Sequence, residues 1–379
     1  MWAGGSSLGG MDASGSEVVR VAFDTGALHG ARTGIGHAVA ALHGALHERD
    51  DVELIDYLVS FRADPGPGAR RLPMPAALAH RCWARSDLPR VDRWLAGAQL
   101  VHGTNYVVPP ARLPQLVSVY DCWFVRNPGQ AGGAVRRAGQ VLRRSIQRGA
   151  SVVTSSHATT RAVQELLPGV RAHTVHLGAL PLPDAPATAP VPELNGRPYV
   201  LAMGTLERRK NLPMLVRAFA AIAADHPDLL LVLAGGDGDD RVEIDAAVDA
   251  LGPGLSQRVL FAGRVDDGAR AWLLRHAAVL AYPSLDEGFG FPLLDAMQAG
   301  VPVVASNAGS IPEVAGDAAL LSAPGDVDAL AASLSSAITD SAVRQRLVAA
   351  GHQQRRQFTW QRTADEMAAL YSQVAGEGR

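Results

Sequence analysis

Two cysteines, Cys82 and Cys122, are all that a chain of 379 residues contains. They are too few for a disulfide framework and wrongly spaced for a metal clip, so a reducing cytoplasm fits best. Charge of one sign is missing as well. The 35 Lys and Arg against 37 Asp and Glu leave a formal charge of −2, with no overall attraction for nucleic acid or for acidic partners. No apolar run reaches the roughly 18 residues of a membrane span. Met1 to Asp12 lacks both the basic and the apolar part of a signal peptide, and residues 1–16 read as a flexible tail. The histidines show no spaced ligand set, since His102, His157 and His176 fall on or beside separate predicted strands. No repeat of solenoid period is visible.

What is present is a globular composition, 47% hydrophobic and 19% charged, at a length that suits two domains with substantial cores. Short apolar runs alternate with amphipathic stretches, which predicts parallel strands joined by crossover helices. The first series is Val18 to Phe23, Val52 to Val59, Leu100 to His102, Leu116 to Tyr120 and Val152 to Ser155. The second is Tyr199 to Met203, Leu229 to Ala234, Val259 to Ala262, Val279 to Tyr282, Val303 to Ala305 and Ala319 to Leu321. Proline density marks 181–196 as a linker. The expected α/β architecture is thus two Rossmann-like domains, 17–180 and 197–356, with parallel sheets facing across a cleft, followed by a C-terminal helix over 357–379. Ligands in open α/β sheets bind at the carboxyl ends of strands.

The chemistry concentrates on strand-to-helix loops. Pro283 to Pro302 places Glu287 and Asp295 eight positions apart around a Gly-aromatic loop, with Pro292 where a first helical turn accepts proline. Gly288 and Gly290 allow close backbone approach, so amides of Phe289 to Phe291 can hold hydroxyl or phosphate oxygens. Arg209 and Lys210 lie on the loop after Tyr199 to Met203, where the alternative reading is a solvated basic turn. Gly30 to His37 is glycine-rich but lacks the third glycine of a dinucleotide fingerprint, which argues against a nicotinamide enzyme. Asp237-Gly-Asp-Asp240 imitates a metal-binding D-x-D, yet its place directly after a strand reads as a turn and helix cap. Arg136, Arg137, Arg143, Arg144 and Arg148 interleave with apolar residues from Val135 to Arg148. Such a helix suits either anionic lipid or, as favoured here, an ordinary surface of the first sheet.

The Glu287 run resembles the E-x7-E signature of glycosyltransferase family 4, the retaining GT-B enzymes. The resemblance continues through Val301-Pro-Val-Val-Ala-Ser-Asn-Ala-Gly-Ser-Ile-Pro-Glu-Val-Ala-Gly-Asp-Ala-Ala-Leu320. It reaches back to Gly204-Thr-Leu-Glu-Arg-Arg-Lys-Asn211 and covers the C-terminal half almost end to end. It implies a retaining hexosyltransferase that uses a nucleoside diphosphate sugar and an acceptor hydroxyl, with no metal. By resemblance, Arg209 and Lys210 meet the diphosphate, Glu287 the sugar hydroxyls, Asp295 the ribose, Arg264 and Val265 the base, and Gly34 and Gly36 the donor phosphates. Tyr120, Asp121 and His102 fall to the sugar or acceptor side. Two departures stand out: Tyr120 replaces the family's histidine, and Asp295 is one methylene shorter than its glutamate. Asp121 reads equally as a cap, and His102 as a core histidine. GDP-mannose is the first donor expected. A GT-B sugar-nucleotide epimerase and a non-catalytic sugar-nucleotide-binding subunit are the alternatives.

Overall fold

The computed structural model describes residues 18–29, 33–64, 66–129, 132–186, 188–194 and 196–377. The expected tail, 1–16, and Gly30 to Arg32 of the first glycine-rich loop lie outside the described residues. The chain forms two compact units, one of Met1–Gly178 with Thr359–Arg379 and one of Ala179–Phe358.

Among the described residues the first unit holds seven strands: β1 (Val19–Asp24), β2 (Val52–Val59), β3 (Arg70–Leu72), β4 (Leu100–Gly103), β5 (Gln115–Val119), β6 (Ser151–Thr154) and β7 (Ala172–Thr174). All pairings are parallel, in the order β3-β2-β1-β4-β5-β6-β7. Helices cover both faces, which is why the central strands β1, β4, β5 and β6 are buried almost throughout instead of alternating. Val21 and Phe23 pack against Val39, Leu42 and Leu46 of the helix Gly34–His47, while Ala22 between them joins Trp83, Val141 and Leu142 on the other face. That split is the two-residue period of a strand. The helix Trp360–Gly376 adds Met367, Tyr371 and Val374 to the first of these layers. Strands β3 and β7 were not expected; each is a three-residue edge strand, too short to show a pattern.

The second unit holds β8 (Tyr199–Met203), β9 (Leu230–Ala234), β10 (Val259–Gly263), β11 (Val279–Tyr282), β12 (Val303–Ser306) and β13 (Ala319–Ser322). Its parallel order is β10-β9-β8-β11-β12-β13. The helix Leu212–Ile222 buries Leu215, Val216 and Phe219 with Leu231, Leu233 and Leu334; each such side chain contributes about 1.5–3 kcal/mol. Residues 181–186 and 188–194, within the expected linker, are counted in this unit, with Leu194 buried. Strand order reverses between β8 and β11. A crevice at the carboxyl ends of two such strands is where an open α/β sheet binds ligands, and the Arg209 and Glu287 loops leave those two strands.

Candidate functional site

After β8 the chain makes a short 3-10 turn over Arg208–Lys210, and Asn211 then adopts a left-handed conformation, φ 54°, at the start of the helix Leu212–Ile222. The turn aims Arg209 and Lys210 at the loop that follows β11. That loop carries Glu287, and it ends where Gly290, φ 105°, opens the helix Phe291–Ala299 with Pro292 in its first turn. Few residues besides glycine adopt such a conformation without strain.

Lys210 Nζ donates to Glu287 Oε1 at 2.6 Å and to the Tyr282 hydroxyl at 2.9 Å. Arg209 donates to Glu287 Oε2, to the Asp286 carbonyl at 3.2 Å, and to Glu207 on the rim at 3.2 Å. Lys210 and Glu287 are only 8% and 6% exposed. A carboxylate so buried survives only if paired. Burial by itself pushes the Glu287 carboxyl up, but the Lys210 and Arg209 cations outweigh it and bring it down to about 2. Glu287 is therefore an ionised acceptor throughout the neutral range. Burial lowers the Lys210 ammonium, against the opposing pull of Glu287.

A second clamp went unnoticed in the sequence. Ser306 donates to the Ser284 carbonyl, Ser310 Oγ to the Phe289 carbonyl at 2.9 Å and Ser310 N to the Glu287 carbonyl at 3.0 Å. Gly309, φ 54°, passes so close that a Cβ would lie 2.6 Å from the Glu287 backbone. The loop after β12 thus fixes the loop after β11. The glycine at 204, φ 129°, likewise leaves room for the Lys210 side chain, whose Cε would sit 3.1 Å from an added Cβ. A small recess beside Lys210 is lined by Gly204, Tyr282 and Ser284.

Asp295 lies in the second turn of the helix Phe291–Ala299, buried, and its Oδ2 accepts from Arg270 of the helix Asp267–His276. Among the described residues its other oxygen, Oδ1, has no hydrogen-bond partner. Burial raises the carboxyl to about 6 against the pull of Arg270. The Phe289 ring is buried against Phe291 and Phe358, at 5.3 and 5.7 Å between centroids. Gly288 is buried in the same loop. Arg264 is exposed beside Gly236, and Val265 is half-buried next to it.

The remaining expected residues lie on the first unit. Thr33 caps the helix Gly34–His47 by accepting from Gly36 N at 3.4 Å, and an added Cβ at Gly34 would meet nothing within 4 Å. Tyr120 is half-buried, and burial raises its phenol well above the usual value despite a bond to Ser118. Asp121 accepts from Trp123 N at 3.1 Å, and its own amide donates to the Tyr106 hydroxyl at 3.0 Å, which turns the chain into the next helix. Of the two readings of His102, acceptor side and hydrogen-bonded core, the geometry corrects the first and matches the second: the ring is wholly buried, with Nδ1 2.7 Å from the Tyr371 hydroxyl and Nε2 2.9 Å from Ser118 Oγ. Burial lowers it to about 3, so it stays neutral and holds the C-terminal helix to the sheet. The Asp237 to Asp240 run also works internally. Asp237 pairs with Arg241, Asp239 accepts from Arg208 N at 3.0 Å, and Asp240 sits at the cap position of the helix Arg241–Asp249 without a side-chain cap bond.

Two parallel Rossmann-like units, one carrying a cation pair and a buried glutamate where its strand order reverses, define a GT-B glycosyltransferase architecture. The model of the family described as "Glycosyl transferases group 1" matches residues 187–354. O-antigen chain mannosyltransferase B of Escherichia coli is 30% identical over 286 residues, which cover 72% of this chain and 74% of that protein. Phosphatidyl-myo-inositol mannosyltransferase of Mycobacterium leprae is 32% identical over 201 residues, 52% of each chain. Sucrose-phosphate synthase from Thermosynechococcus elongatus superposes with a TM-score of 0.73 at 20% identity, over 95% of this chain and 100% of that one. Anabaena HepE, solved in complex with UDP and glucose, gives 0.67 at 19% identity, over 94% and 100%. The chain belongs to the group 1 glycosyltransferase family.

Proposed function

We propose that this glycosyltransferase moves a hexose, with mannose as the first candidate, from a nucleoside diphosphate sugar to an acceptor hydroxyl, with retention at the anomeric carbon and without a metal ion. The observation that carries the reading is the buried Arg209, Lys210 and Glu287 cluster at the reversal of strand order. As the glycosidic bond breaks, negative charge grows on the diphosphate, and fixed cations stabilise it more in the transition state than in the ground state. Arg209 and Lys210 supply that charge in place of a metal. Glu287 holds the two cations in position and, ionised at neutral pH, accepts from sugar hydroxyls. Oδ1 of Asp295, which has no partner among the described residues, is the acceptor assigned to the ribose. Retention follows if the acceptor attacks on the leaving-group face and a phosphate oxygen takes its proton. Such a route needs no protein base, which suits a Tyr120 whose phenol does not titrate near neutral pH. Mannose draws support from the names of the two sequence relatives.

The partner surface is part of the same reading. The helix Gly133–Gln147 buries Val141 and Leu142 in its own unit, and Arg144 and Arg148 pair with Asp87 at 2.9 and 3.3 Å. Arg136, Arg143 and Val135 remain exposed, which supports weak contact with an anionic lipid surface. Sedimentation with acidic vesicles at low salt should retain the protein, and none retained would remove the contact. Among the described residues, no helix is long and apolar enough to cross a membrane.

Calorimetric titration with GDP, UDP and dTDP in a chelator tests the donor grip. One nucleotide should bind, and Arg209→Ala/Lys210→Ala should abolish binding. Glu287→Gln should lower the turnover number by about a hundredfold or more while changing donor affinity far less. An unchanged turnover number would remove Glu287 from its role, and new sugar nucleotide formed without acceptor would identify an epimerase.

A further inference from the structure

We propose that His43, His47 and Asp56 form a binding site on the first unit for one divalent late first-row metal ion, with Zn2+ as the best chemical match. His43 and His47 stand four residues apart in the helix Gly34–His47, so one face presents both imidazoles. Their ring centroids are 4.3 Å apart. Asp56 comes from β2, the strand next to β1. His43 Nε2 lies 2.9 and 3.0 Å from its two carboxylate oxygens. One donor atom from each of the three residues lies within 4.8 Å of the other two. A tetrahedral ion with bonds of about 2.0–2.1 Å needs donor separations of about 3.3 Å. The His43 and Asp56 edge is already near that value. His47 is exposed, and rotation of its side chain closes the rest.

The position of Asp56 is the second observation. Strand residues two apart share a face, and Leu54 packs in the apolar layer under this helix. Its neighbour on that face would bury hydrocarbon most cheaply, yet it is a carboxylate aimed at a histidine. A hydrogen bond between His43 and Asp56 accounts for two of the residues, and His47, in the last turn of the helix, sets its ring against that of His43 and adds a third ligating side chain to the pair. Two imidazoles and one carboxylate suit zinc and its neighbours better than magnesium or calcium, which favour all-oxygen shells. An ion held there ties the helix to the sheet by two protein bonds on one side and one on the other. Its fourth position, on the side of the exposed His47, is open to water. All three ligands belong to the first unit, whereas Arg209, Lys210 and Glu287 belong to the second. None of the three ligands is a residue of the Arg209, Lys210 and Glu287 grip, so loss of one site is read separately from loss of the other.

Tag-free protein stripped with a chelator should take up one equivalent of Zn2+ by calorimetry, and Co2+ at the same site should give the visible absorption of a four-coordinate ion. The melting temperature should rise by about 5 °C or more at a hundredfold excess over Kd. His47→Ala, at an exposed position that leaves folding intact, should weaken binding by about tenfold or more and cut the melting shift at the same ion concentration to about half or less. Asp56→Asn should weaken it as well while keeping a hydrogen bond to His43. Absence of uptake at millimolar ion, or equal uptake by wild type and both variants, would overturn the site. Nucleotide binding in the chelator should be unaffected, so this site and the donor grip fail separately.

Discussion

The two units share one strand order over six strands, with β7 added at one edge of the first, and differ in what they bury at the carboxyl ends of their strands. The first buries a neutral network in which His102 bonds Ser118 and Tyr371, and Tyr371 belongs to the C-terminal helix. The second buries charge: Lys210 and Glu287 after β8 and β11, and Asp295 held by Arg270. Neutral polar groups, once bonded, hold helices to a sheet at modest net gain. Buried ions are costly even when paired, so a fold that keeps them is using their field. The difference shows that the common sheet is a support, and that chemistry is read from where charge is buried.

The largest break in this comparison is expected from Lys210→Ala. It leaves Glu287 with Arg209 as its remaining cation and, on the proposed function, removes one phosphate contact. Urea unfolding should show a loss of about 3–5 kcal/mol, and transfer should fall by about a hundredfold or more. Tyr371→Phe is the counterpart in the first unit. It unpairs a His102 nitrogen and should cost about 1–2 kcal/mol with transfer unchanged. Equal losses of activity in the two variants would erase the distinction between the units.

Proton linkage sharpens it further. The Glu287 carboxyl falls from an ordinary 4.5 to about 2, so its contribution is present above the ordinary value and is lost as pH falls toward 2. Asp295 has the opposite sign. Its carboxyl is raised from 3.8 to about 6, so the folded state holds its proton more tightly and stability declines as pH climbs through that window. Asp24 of the first unit and Asp240 of the second are raised to about 6 as well, with burial the leading cause for each. Urea midpoints of Asp295→Asn and wild type, taken at about pH 4.5 and about pH 7.5, should show a smaller decline in the variant. An identical decline would mean that Asp295 is ionised throughout. The smallest effect belongs to Gly34→Ala. Among the described residues an added methyl there meets nothing within 4 Å, and it reduces the freedom of the unfolded chain, so stability should rise by about 0.4–1 kcal/mol. If Gly34 lies against the donor, transfer should fall all the same, and unchanged transfer would take Gly34 out of the donor site.

Strand positions were legible because a parallel sheet covered on both faces demands predominantly apolar runs. Val52–Val59, Tyr199–Met203 and Val279–Tyr282 have the same limits in the sequence reading and in the structure. The three-residue edges β3 and β7 escaped, since Arg70-Arg-Leu72 carries no such run. At the site, the Arg209-Lys210 turn and the Glu287 loop could be placed on their strands from pattern and resemblance. The clamp by Ser306 and Ser310 could not, because serines near a turn are common and only the neighbouring strand gives these two a target.

The sequence by itself determined which segments become strands, which loops carry charge and which family the chain resembles, because these depend on residues close along the chain. The tertiary structure decided that His102 is a neutral core bond, that Asp295 answers to Arg270, that Glu287 is held ionised by two cations and that Asp56 meets His43. Burial and electrostatic field are set by atoms brought together from distant parts of the chain. An acid such as Asp295 or Glu287 can be driven up or down from its ordinary value by neighbours that only folding supplies.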